Sequence, residues 1–114
     1  MNEPWISVEA LEGDCRIVSL SGEAALTGGR LHRDLTATLS NDHGGVVVDC
    51  SGLEFLDRRT IDSLLAASAE LGERLVVVAP PGDVRDVLEI AELDTFLRIV
   101  RSREEALAAL GVAG

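Results

Sequence analysis

Lysine and tyrosine are absent from this 114-residue chain, and cysteine, proline and aromatic residues are scarce. Two cysteines, Cys15 and Cys50, are too few for the disulfide framework of a small secreted domain and read as reduced thiols. With aromatics at 3%, a core has to be built from Ala, Val and Leu. No apolar run approaches the roughly 20 residues of a membrane span. Met-Asn-Glu-Pro-Trp lacks the basic start and apolar stretch of a signal peptide, so a cytoplasmic location is expected. Positive charge is also short. Ten arginines face 20 acidic residues, for a formal net charge of −10. Such a domain repels phosphate backbones and anionic lipid, so neither a nucleic-acid partner nor membrane insertion is expected. The missing lysine reads as a GC-rich genome coding arginine in its place.

What is present is enough for one core: 46% of the residues are hydrophobic, and residues 1–114 read as a single domain. Residues 5–10 alternate as a strand, Gly13-Asp14 is a turn, and Cys15–Leu20 reads as the second half of a hairpin. Leu31, Leu35 and Leu39 recur at helical spacing over residues 27–39. Val46-Val47-Val48 is a continuous β-branched run, the mark of a strand buried on both faces. Ile61, Leu64, Leu65, Ser68 and Leu71 share one helical face that ends at Gly72. Leu75–Ala79 repeats the buried-strand pattern. Pro80-Pro81-Gly82-Asp83 turns into a helix with Val84, Val87, Leu88 and Ala91 expected inward. Leu97–Val100 is a last strand. Ser102 and Glu105 have the spacing of a capping box, opening a helix that stops at Gly111. The order β-β-α-β-α-β-α-β-α predicts an α/β domain: a mostly parallel mixed sheet with an antiparallel first strand and helices packed on it.

The segment Val46–Leu65, with Asp-Cys-Ser-Gly after the valines and Asp57-Arg58-Arg59-Thr60 opening the next helix, resembles the central signature of STAS domains. These are the domains of bacterial anti-sigma factor antagonists and of sulfate-transporter tails. Leu20-Ser21-Gly22-Glu23 is similar to the family's turn after the second strand. Leu88–Ile99 and Glu104–Leu110 match its later helices, so the resemblance runs from about residue 5 to 111. It implies a protein-interaction module whose partner is an anti-sigma factor with serine-kinase character. In the family, the second serine of Asp-Ser-Ser-Gly is phosphorylated by that partner, and the phosphate's charge of about −1.5 to −2 breaks the complex.

Asp57 is retained, but Arg58 and Arg59 stand where the family has its two serines, and Thr60 where it has glycine. Arg59 accepts no phosphate and carries the opposite charge, so the usual switch is not expected. The site expected from the resemblance comprises Asp57, Arg58, Arg59, Thr60 and Ser63, with the Gly22-Glu23 turn beside it. Two cations at a helix N-terminus oppose the macrodipole by about 0.3–1 kcal/mol each. They read either as solvated side chains or as a contact for a partner carboxylate or phosphate. Thr60 reads either as a helix cap or as a phospho-acceptor shifted by one residue. Ser63 reads as structural.

Other chemistries find little support. Cys50 has the chain position of a phosphatase nucleophile, but the position six residues later is Leu56 where an arginine is required, so a core thiol is expected. His32 and His43 have no cysteine or carboxylate at metal spacing, and no Ser-His-Asp ordering can be argued from them. Gly28-Gly29 lacks the rest of a phosphate loop. Arg98, Arg101 and Arg103 precede Glu104-Glu105 and read as a solvated, partly self-paired patch. The expectation is a binding module, monomeric alone, with no catalytic residues, metal or cofactor. The alternative is a small STAS subunit of a lipid-transport complex, or a STAS domain binding a nucleotide or other anionic small molecule at Arg58 and Arg59.

Overall fold

The computed structural model describes residues 6–10, 15–22, 45–54, 56 and 58–111. A five-stranded sheet runs in the order β1 (Ile6–Ala10), β2 (Arg16–Gly22), β3 (Val46–Leu53), β4 (Leu75–Val78) and β5 (Arg98–Val100). β1 pairs antiparallel with β2, and the remaining neighbours pair in parallel. Three α-helices are described, α1 (Arg58–Leu71), α2 (Asp83–Ile90) and α3 (Arg103–Leu110), with short 3-10 turns at Gly72–Arg74 and Leu93–Thr95. The hairpin, the parallel strands and these helices follow the order expected from the sequence. The helix expected over residues 27–39 and the Gly13-Asp14 turn lie outside the described residues.

Alternation along the strands sorts side chains between two faces. Val46, Val48, Cys50 and Val77 join Leu64, Ala67 and Leu71 of α1 and Val84 and Leu88 of α2 in one cluster. Ile17, Val47, Val76 and Val78 join Ala106 of α3 in a second. Val46, Val47, Val48, Val76 and Val77 are each fully buried, as strands covered on both sides must be. α3 comes so close that a Cβ added at Gly45 would lie 2.7 Å from a Leu110 methyl.

The caps follow the chemistry of their residues. Gly72 and Gly111 take the left-handed conformation that ends a helix, at φ 56° and 74°. The Ser102 side chain accepts from the Glu105 N–H at 3.2 Å. Glu105 completes the exchange one residue early, its Oε2 accepting from the Arg101 N–H at 3.1 Å rather than from Ser102. The inward set expected for α2 needs correction. Val84 and Leu88 are buried, but Val87 is 37% exposed and Ala91 is also exposed. α2 lasts only eight residues and Glu92 turns left-handed after it, so Ala91 leaves the helical face that Val84 and Leu88 define.

Candidate functional site

Of the residues expected to bind, Gly22 is at the end of a parallel strand and Arg58, Thr60 and Ser63 are in the first turns of α1. β2 ends at Gly22, β3 at Leu53, and α1 opens at Arg58. β3 is longer than its valine run suggests. Asp49, Cys50, Ser51 and Gly52 belong to the strand, so Cys50 lies within it rather than after it. Pairing with β2 slips once on the way. Ser19 opposes Asp49, but Ser21 opposes Gly52, so Leu20 alone faces both Cys50 and Ser51. Such a bulge bends and twists the strand. Gly52 suits it, because a Cβ there would come within 3.2 Å of the Leu20 carbonyl oxygen and of the Ser21 Cβ.

Asp49 is at the base of this bulge and is 5% exposed. One carboxylate oxygen accepts the Ser51 N–H at 2.9 Å and also the Ser51 hydroxyl. The other accepts Nε of Arg103 at 2.7 Å, and a terminal nitrogen of the same guanidinium donates to Ser19 Oγ at 2.8 Å. Burial pushes the Asp49 carboxyl up, but the two Ser51 hydrogen bonds and the Arg103 guanidinium outweigh it and hold the group below its ordinary value. Arg103 is therefore not part of a self-paired surface patch. It reaches across 54 residues of chain to a buried carboxylate that sequence spacing gave no means of finding.

Arg58 is exposed at the start of α1, whose first turn holds no acidic residue. The Arg59 backbone is helical, and its side chain lies outside the described residues, as do Asp57 and Glu23. Gly22 is the last residue of β2. Thr60 and Ser63 turn inward and are 2% and 3% exposed. The Thr60 side chain is thus withdrawn from the surface of the first turn of α1.

A cleft of about 190 Å³ separates the end of β3 from the start of α2, with Cys50, Ser51, Glu54, Pro81 and Asp83 among its lining residues. Cys50 itself is 1% exposed. Burial, and then the Asp49 charge, push its thiol up to about 12, so it is a protonated core group and not a nucleophile. Among the described residues no group of three histidine, cysteine or acidic side chains could hold a metal, and no helix is long and apolar enough to cross a membrane. His32 and His43 lie outside those residues.

Comparison with known proteins agrees with this architecture. The family model described as "Mlab, STAS domain" matches residues 7–101, and the chain belongs to the STAS family. Its fold is shared by an anti-sigma factor antagonist from Mycobacterium paratuberculosis at 24% identity and a TM-score of 0.83, covering 97% of this chain and 99% of that one. An anti-sigma-factor antagonist STAS protein from Planctomyces limnophilus follows at 18% identity and 0.76, covering 93% and 97%. The unphosphorylated form of the anti-sigma factor antagonist SpoIIAA gives 14% and 0.69, covering 96% and 99%. No curated protein matches the sequence significantly.

Proposed function

We propose that this chain is a non-catalytic, cytoplasmic protein-binding module that engages an anti-sigma factor of the serine-kinase type and so regulates transcription. The proposed contact surface takes in Gly22 at the end of β2 with Glu23 next in sequence, and Asp57, Arg58 and Arg59 at the start of α1, with Thr60 buried behind them. One observation carries the particular form of the proposal. Arg59 fills the position where the resemblance places the acceptor serine, while the neighbouring hydroxyls of Thr60 and Ser63 are buried. Binding is then not switched by phosphorylation at this loop. The exposed Arg58 offers a partner carboxylate a charge-assisted hydrogen bond instead.

The test is a pull-down from the native cytosol with the wild-type chain and with Arg58→Ser/Arg59→Ser, with the captured proteins identified by mass spectrometry. Capture of an anti-sigma factor kinase by the wild type, weakened in the double variant, supports the proposal. Phosphate found on Thr60 or Ser63 after incubation with that kinase would sink the claim that the loop is not switched.

The resemblance also allows a second reading, a small STAS subunit of a lipid-transport complex. The same pull-down separates the two, because this reading expects a transport ATPase in place of the kinase. A thermal-shift screen with GTP, ATP and phosphate addresses a small anionic ligand at Arg58 and Arg59.

A further inference from the structure

Arg103 is the first residue of α3, where the helix dipole disfavours a cation. Helix stability does not explain it there, and the two contacts it makes do. Its guanidinium spans the Asp49 carboxylate, at 2.7 Å, and the Ser19 hydroxyl, at 2.8 Å. Ser19 and Asp49 are the last opposed pair before the β2–β3 register slips. Asp49 also holds the backbone N–H of Ser51, the second of the two residues that form the bulge. The bulge in turn brings Gly22 opposite Leu53, five residues before α1 opens at Arg58. One guanidinium thus joins three things: the C-terminal helix, the point where two strands lose register, and the chain that leads into the α1 N-terminus.

We propose that Arg103 is a positioning residue that couples the seating of α3 to the geometry of the β2–β3 ends and the α1 N-terminus. Seated α3 presents the fork that holds Ser19 and Asp49 side by side and keeps the bulge closed. Unseated α3 withdraws it, and the strand ends relax although no residue of the edge itself has changed. A partner that grips α3 would thereby alter the edge from the far face of the sheet. The coupling is a property of the chain alone and holds whatever binds at the edge.

The test is two-dimensional amide NMR and hydrogen exchange on the full chain, comparing wild type, Arg103→Gln, Arg103→Lys and Ala106→Gly. Arg103→Gln removes the ion pair and should move the amide resonances of Ser19–Gly22, Ser51–Leu53 and Arg58–Thr60. Amide exchange at Gly52 and Leu53 should quicken by about tenfold. Arg103→Lys keeps the charge but not the planar fork, so it should restore the Asp49 side of the pattern and only partly that of Ser19. Ala106→Gly loosens the seating of α3 with Arg103 itself unchanged, so it should move the same amides in the same direction as Arg103→Gln, by a smaller amount. Resonances at Arg58–Thr60 that stay fixed in Arg103→Gln would overturn the proposal, as would resonances there that stay fixed in Ala106→Gly while its Tm falls. Should Arg103→Gln fail to fold, Ser19→Ala removes only the second contact, and an unmoved Gly22–Leu53 register in that variant would overturn it as well.

Discussion

The two faces of the sheet are held by different physics. On one, α1 and α2 contribute large aliphatic side chains that lock against Val48, Cys50 and Val77. On the other, α3 approaches through Ala106, Ala109 and Leu110, and its first residue adds an ion pair to a buried carboxylate. Apolar burial scales with area and has no direction, so the first face supplies stability. A forked ion pair has both direction and partner, so the second contact fixes position more than it adds free energy. Stability and register are assigned to opposite sides of the same strands.

The comparison breaks most readily on the first face. Leu64 is fully buried in α1, and Leu64→Ala should cost about 3–4 kcal/mol in urea unfolding, while the far-face truncation Ala106→Gly should cost about 1 kcal/mol. Equal losses would erase the distinction. Arg103→Ala should cost about 2 kcal/mol. That is less than the 3–5 typical of breaking a fully buried pair, because the Arg103 side chain is 44% exposed and water screens it.

Acid should sharpen the point. The Asp49 carboxyl is depressed in the folded chain from its ordinary value of 3.8, so its contribution is fully present above that value and is lost as pH falls through the lower folded one. The stability gap between wild type and Asp49→Asn, read by urea unfolding, should therefore be constant from pH 7 to about pH 5 and close below pH 4. Ser102→Ala removes the α3 cap and should cost about 1 kcal/mol, with α3 amides exchanging faster than those of α1. The smallest effect expected is at Cys50. Its thiol, pushed up to about 12, should resist iodoacetamide in the native chain at pH 8 and react only after unfolding.

Local signals in the sequence were faithful where local physics decides. The valine runs became the central strands, the aliphatic spacing from Ile61 to Leu71 became α1, and Gly72, Ser102 and Gly111 cap as their chemistry suggests. What escaped depends on chain brought together from far apart. Asp49 through Gly52 look like a loop by composition. They continue the strand because β2 lies beside them and the Asp49–Ser51 hydrogen bonds accommodate the polar groups. The partner of Arg103 is 54 residues away, and no periodicity links the two. Thr60 was legible as a residue near a helix start but not as a buried one, since burial is set by what packs over the first turn of α1. Of the expected site, the resemblance supplied the positions, and the structure adds that Arg58 is exposed while Thr60 and Ser63 are buried.

The slipped register in β3 also constrains how this chain can change length. Between Asp49 and Leu53 the bulge absorbs one residue, which returns Leu53 to the same buried cluster as Cys50, three positions earlier. Removing Ser51 would close the bulge and leave an even ladder, with Leu53 two positions after Cys50, on the same face and still opposite Gly22. It would, however, take away the N–H and hydroxyl that Asp49 accepts. Adding a second residue would exceed what a one-residue bulge absorbs and would turn Leu53 away from its cluster. Insertions are therefore barred from the four residues before Leu53, even though Ser51 and Gly52 are exposed and could pass for a permissive loop.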